Sequence, residues 1–155
     1  MITNEEIAQS AIMNNLFDFW FNDREHIRSP FPDYIQSTVK TKTIERAAKW
    51  LGNLNDSDKD KVTESDIVDK LESILFEEGL KAVRTEDEKI TLLYPFLPRI
   101  DDLVMGNSFS DENLPTGEYT VIDRTLLKEG KQDFMKIIIK HNETGKRWET
   151  KVELP

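Results

Sequence analysis

Residues 134–154 read FMKIIIKHNETGKRWETKVEL, and this stretch decides the fold class. Apolar and polar residues alternate on both sides of a four-residue break, the period of a half-buried strand. Residues 134–141 and 146–154 are therefore the arms of a hairpin. Asn142, Glu143, Thr144 and Gly145 form its turn, with glycine where the backbone needs positive φ. In the second arm Trp148, Thr150, Val152 and Leu154 share one face, which is read as buried. Arg147, Glu149, Lys151 and Glu153 share the wet one. In the first arm Lys136 and Lys140 lie on the face of Phe134 and Ile138, opposite Met135, Ile137 and Ile139.

Upstream of the hairpin, residues 118–124 read as a further strand, after an irregular stretch punctuated by Pro95, Pro98 and Pro115. Residues 81–84 and 89–94, joined by Thr85, Glu86, Asp87 and Glu88, read as a short first hairpin. Before residue 80 the period is helical. The clearest helix spans residues 64–78. Thr63 and Asp66 form its capping box, Glu64 complements the helix dipole, and Ile67, Val68, Leu71, Ile74 and Leu75 form the buried stripe. Gly79 is its expected terminator. A shorter helix fits residues 44–51, with Ile44, Ala47, Ala48 and Leu51 at i, i+3, i+4 and i+7, ended by Gly52. The first helix is expected over residues 4–21, with Thr3 and Glu6 as its box. Its Ile12, Leu16, Phe19 and Trp20 make one apolar side, widened by Phe17 and Phe21. That side is core or, as the alternative, a groove for a partner. Residues 22–42 read as a long connection broken by Pro30 and Pro32, which Phe31, Tyr34 and Ile35 dock onto the body.

These elements predict an α+β fold: N-terminal helices, in an order like that of a winged helix, packed with a C-terminal antiparallel sheet or small barrel. With 155 residues, one domain is expected over 1–155, its helical part at 1–79 and its β-rich part at 80–155.

Composition narrows the function more than any motif does. No cysteine is present, which excludes disulfides, zinc ribbons and thiol catalysis and fits a cytoplasmic setting. No run of 18 apolar residues exists. Residues 1–22 hold Glu5 and Glu6, lack a basic leader and end on Phe19, Trp20 and Phe21, so neither a signal peptide nor a membrane span is expected. The net charge of -9 is concentrated in the middle. Residues 55–112 hold 7 Lys/Arg against 16 Asp/Glu (-9), whereas 1–54 hold 6 against 7 (-1) and 113–155 hold 8 against 7 (+1). A partner drawn to the centre by charge is therefore basic.

No catalytic, cofactor-binding or metal-ligating residue is assigned, and no cofactor is expected. His26 and His141 stand 115 residues apart, with no second histidine at metal-ligand spacing. Asp56, Asp58 and Asp60 resemble the start of a calcium loop, because alternate carboxylates on a curling backbone converge on one hard cation. That pattern lacks its turn glycine, Lys61 standing instead, and reaches Ile67 where a bidentate glutamate belongs. Two triplets, Asp87-Glu88-Lys89 and Glu149-Thr150-Lys151, match the short acidic-x-Lys pattern of metal-dependent nucleases. A chain with 33% charged residues yields such triplets by chance.

Three functions follow in order. The first is a non-enzymatic interaction or regulatory protein, whose acidic residues Asp66, Asp69, Glu72, Glu77 and Glu78 meet a basic protein surface. Those same residues would repel phosphate if this helix entered a DNA groove. The second is single-stranded nucleic-acid binding by Lys136, Lys140, Lys146, Arg147 and Lys151 beside an exposed aromatic. It requires that Met135, Ile137 and Ile139 face inward. The third is a carboxylate-dependent metalloenzyme.

Overall fold

The computed structural model describes residues 2–24, 28–109 and 114–155. The fold is α+β: helices on the N-terminal side and a curled four-stranded antiparallel sheet on the C-terminal side. The chain forms two compact units, residues 1–95 and 96–155.

Among the described residues the first unit holds six helices: α1 (Asn4–Ala8), α2 (Ala11–Phe21), α3 (Asp33–Asn53), α4 (Asp56–Lys61), α5 (Glu64–Ala82) and α6 (Glu86–Leu93). The single helix expected at 4–21 is two, because the Ser10 hydroxyl accepts the Met13 N–H (3.2 Å) and opens a fresh helix there. The connection expected at 22–42 is shorter than it read. Pro32, with no N–H to lose, sits at the N-cap, and α3 begins at Asp33. The helix expected at 44–51 is the end of this longer one, and Gly52 lies inside it.

Gly79 does not end α5 either, for the helix continues to Ala82. Phe31 explains the glycine. A Cβ at Gly79 would stand 2.7 Å from the Phe31 ring, so the missing side chain is the notch that receives it. Phe31 is 2% exposed and packs on Phe21 and Phe76, with ring centroids 5.2 and 5.0 Å away. Trp20 meets Phe76 edge-on at 4.7 Å. Around these rings Met13, Leu16, Ile35, Val39, Ala47, Leu71 and Leu75 complete the core. Arg46 ties α3 to α5 through Glu77 (2.7 Å) and Glu78 (3.4 Å).

The hairpin expected at 81–94 is helix α6, so the winged-helix order that counted it dissolves, and the helical part runs past residue 79. Thr85 and Glu88 form a capping box, each holding the other's backbone N–H (3.1 and 3.0 Å). Residues taken for a turn are thus a helix start.

The second unit holds β1 (Leu103–Met105), a short 3-10 turn (Gly106–Ser108), β2 (Glu118–Glu129), β3 (Gln132–His141) and β4 (Arg147–Glu153), in the order β1-β2-β3-β4. The hairpin expected at 134–154 is present as β3–β4, with Gly145 at φ 74° in its turn. β2 runs five residues beyond the strand expected at 118–124 and carries a bulge between Val121 and Asp123. Tyr119, Val121, Met135, Ile137 and Ile139 are fully buried on the inner face. Trp148, expected to be buried, is half-buried. It completes an aromatic group with Tyr119 (5.9 Å) and His141 (6.5 Å).

Two substitutions test the helical core. Leu71→Ala should cost about 2–5 kcal/mol, since Leu71 is deep in the cluster. Gly79→Ala normally gains helix propensity, yet here it should destabilise by about 1–3 kcal/mol through overpacking against Phe31. Chemical denaturation reads both, and an unchanged midpoint in the glycine variant would refute the notch.

Candidate protein-interaction groove

Among the described residues, α2 and α5 leave a groove of 320 Å³ between them. Ile12, Asn15, Leu16, Phe19 and Trp20 line it from α2, and Glu64, Val68 and Glu72 from α5. The α5 residues are spaced i, i+4 and i+8, so acid, valine and acid stand in one row along the helix. The spacing of α2 puts its apolar residues opposite. Phe19 remains 42% exposed, although its neighbour Trp20 is buried. The indole N–H of Trp20 donates to Glu72 (3.1 Å), which fixes one wall and one carboxylate together. No basic side chain lines the groove. Arg24, stacked on the Phe19 ring at 4.7 Å, is paired with Asp18 (3.7 Å). A larger cleft of 430 Å³ is lined by Glu45, Lys49 and Lys59 among others. Its mixed charge selects neither sign of ligand.

The acidic residues singled out on α5 divide by task. Asp66 closes the capping box with Thr63, and this backbone bond holds its carboxyl below the usual range. Glu77 and Glu78 face Arg46, whose hydrogen bond lowers the pKa of Glu77, and Glu78 is buried beside Lys81. Asp69 is exposed. Only Glu72 of the five lines the groove. Its second rim carboxylate, Glu64, was read from sequence only as a dipole partner, and Val68 only as core. The signal for both was the acid-apolar-acid row itself.

The basic residues of the hairpin gather better than the acidic ones. Lys136, Ile138 and Lys140 share the outer face of β3 with Phe134, while Met135, Ile137 and Ile139 face inward. This is the register that nucleic-acid binding requires. Across β4, Lys136 stands opposite Lys151 and Lys140 opposite Arg147. Carboxylates interrupt the patch: Glu149 holds Lys136 (3.4 Å) and Glu129 holds Lys151. Phe134 lies under the Lys151 ammonium at 5.8 Å. Lys146 is exposed in the turn.

The remaining candidates have structural employment. Residues 56–61, read as a possible calcium loop, are helix α4, capped by Asn55, so their carboxylates do not curl around one point. No cluster of three His, Asp or Glu side chains fit to hold a metal occurs among the described residues. Asp87, Glu88 and Lys89 belong to α6, not to a strand end. His26 lies outside the described residues. His141 is buried. Its Nδ1 accepts the Thr144 N–H (3.2 Å), so Nε2 carries the proton, 3.2 Å from the Thr116 carbonyl. No protein-family model matches the chain, and no curated protein or solved structure does.

Glu88 is a heavily bonded carboxylate of the helical unit. It accepts from the Tyr34 hydroxyl (2.8 Å), the Arg84 N–H (3.1 Å) and the Thr85 N–H and hydroxyl (both 3.0 Å). Desolvation pushes its pKa up, but these donors outweigh it and hold the carboxyl below its ordinary value. Because the folded value is depressed, this stabilisation is complete above the unfolded pKa and is lost as pH falls through the folded one. Glu88→Ala should cost about 1–2 kcal/mol at neutral pH. As pH falls through the depressed folded value the difference from wild type should narrow, as measured by urea midpoints across the acid range. A gap that persisted in acid would refute the carboxylate's role.

Proposed function

We propose that this is a non-enzymatic interaction protein whose acidic helical unit captures a basic segment of a partner protein. The observation that carries the reading is the α2/α5 groove, apolar along its floor and flanked by Glu64 and Glu72 without a lining cation. Residues 1–95 hold 12 Lys/Arg against 19 Asp/Glu, a balance of -7, so the surrounding field steers cations toward it. Among the described residues no helix is long and apolar enough to cross a membrane.

The row on α5 specifies the chemistry of the occupant. Glu64 and Glu72 lie about 12 Å apart along the helix axis, eight residues at the helical rise. A partner helix with Lys or Arg eight residues apart and a large apolar residue midway would match it. The apolar side chain meets Ile12, Phe19 and Val68, and each cation meets one rim carboxylate. Apolar anchors give such contacts most of their affinity, while the charges select the partner and speed encounter.

A second reading has the outward register of Lys136, Lys140, Arg147 and Lys151 behind it, beside Phe134 and Ile138. Glu149 and Glu129 occupy two of those four cations, which weakens the surface for a polyanion.

Calorimetry with a helical peptide carrying Lys, Leu and Lys at i, i+4 and i+8 tests the first reading. Binding should be saturable and fall with salt. Glu64→Gln with Glu72→Gln should weaken it by about tenfold, one such step in affinity being about 1.4 kcal/mol. Glutamine keeps an acceptor for the Trp20 indole, so the variant stays folded. Indifference of binding to this double change would reject the groove. Binding of single-stranded DNA that disappears in Lys140→Glu plus Arg147→Glu would move the function to the sheet.

A further inference from the structure

We infer that β4 is a self-association edge, built to pair antiparallel with β4 of a second copy of this chain about Thr150. Among the described residues the sheet order leaves β4 bonded on one side only, to β3. Its far side is therefore a row of backbone donors and acceptors open to another strand. Which residues own that row follows from the hydrogen bonds at its ends. His141 N–H donates to Lys146 O (2.8 Å) and Leu154 N–H to Asp133 O (2.9 Å). Alternation along an antiparallel ladder then turns the backbone groups of Trp148, Thr150 and Val152 toward β3. Those of Arg147, Glu149, Lys151 and Glu153 turn toward the open edge.

The side chains carry the assignment. Charge on β4 is antisymmetric about its midpoint: Arg147 and Glu153 stand three residues either side of Thr150, and Glu149 and Lys151 one residue either side. Antiparallel pairing of two copies about Thr150 sets Arg147 opposite Glu153 of the other copy, and Glu149 opposite Lys151. On the other face it sets Trp148 opposite Val152. Every charged pair is of opposite sign, and every outward N–H meets an outward C=O. The half-buried indole of Trp148 gains an apolar neighbour.

The adjacent registers fail on the same residues. Centring one residue earlier opposes Arg147 to Lys151 and Glu149 to itself. Centring one residue later opposes Glu149 to Glu153 and Lys151 to itself. Parallel in-register pairing stacks every charge on its like. An edge charged only to resist aggregation would need no such symmetry, whereas this one matches every charge over its full length only when centred on Thr150. Centring on Trp148 or Val152 also opposes unlike charges but overlaps just three residues of each strand. The operation is a two-fold rotation, so the interface is closed and stops at a dimer. Two of the four charges are already engaged in the monomer, Glu149 with Lys136 and Lys151 with Glu129, and share or exchange those partners on pairing. Arg147 and Glu153 have no ion-pair partner among the described residues and make the cleanest probe.

Sedimentation of the full chain at submillimolar concentration should show reversible association from 18.1 kDa to twice that mass. Arg147→Glu and Glu153→Arg, each checked for folding by circular dichroism, should each weaken the dimer by about tenfold or more, since each opposes like charges twice. The double swap, Arg147→Glu with Glu153→Arg, should restore it. In the wild type, the amides of 147, 149, 151 and 153 should be protected from hydrogen exchange at high concentration and exposed on dilution. A wild type that stays monomeric overturns the inference. So does a dimer that either single change leaves intact, a double swap that fails to rescue, or free exchange of those four amides in the associated protein.

Discussion

The helical unit depends on side chains that take up backbone N–H groups at helix starts. Thr3, Ser10, Asn55, Thr63 and Thr85 each accept the amide three residues on, at 2.7 to 3.2 Å. Each cap satisfies a donor that its helix cannot, and so decides where a new axis begins. In a chain of low mean hydropathy with 33% charged residues, propensity alone does not divide these segments. The caps divide them. Ser10 turns one expected helix into two, and only α2 then contributes Ile12, Phe19 and Trp20 to the groove. Asn55 and Thr63 isolate α4 from α5 and set the phase of the Glu64, Val68 and Glu72 row. The one helix without such a cap, α3, starts at Pro32, next to the Phe31 ring seated in the Gly79 notch.

Where the period was strong, the sequence was legible. The β3 and β4 arms, the Gly145 turn and the apolar stripe of α5 follow from spacing alone, because a buried face must repeat with its element. The misreadings share one cause: a local signal with two physical meanings. Thr85 and Glu88 flank two acidic residues, which suit a turn and also the first turn of a helix, and the reciprocal capping bonds decided for the helix. Gly79 suits a helix end by its backbone freedom and suits a helix interior by its missing side chain. The ring that needs that space, Phe31, is 48 residues away in sequence, so no local reading supplies it. Trp148 is half-buried because it sits on an edge strand, and strand order is likewise not a local property.

The acidic character of the candidate groove was legible from composition, but its members were not. Composition locates negative charge in the centre of the chain, yet it does not say which carboxylates the fold engages. Asp66 binds its own helix start, and Glu77 and Glu78 bind Arg46, so their charge is engaged within the helical unit. Glu64 and Glu72 stay at the groove because the residue between them on the same row, Val68, keeps that side apolar. An acidic side chain alone says little about binding. One beside an uncovered apolar surface, as Phe19 shows here, is placed where desolvation would strengthen its attraction for a cation.

The groove and the β4 edge differ in the symmetry of their charge, and that difference decides what each can bind. The groove is lined by one sign only. Two such grooves brought together would oppose carboxylate to carboxylate, so its charge disfavours self-pairing. The β4 edge balances two positive against two negative residues, arranged so that a two-fold rotation exchanges the signs. A strand of uniform charge would repel its own copy in any register, and an alternating strand symmetric about its midpoint would oppose like to like. Only the antisymmetric arrangement attracts its own copy, and Thr150, the uncharged residue at its centre, is where the strand must meet itself. A single substitution at Arg147 or Glu153 breaks that antisymmetry without touching the inner face on which β3 and β4 are built, because the two faces of a strand alternate. The surface that chooses the chain's own copy is therefore separable, residue by residue, from the core that makes the sheet.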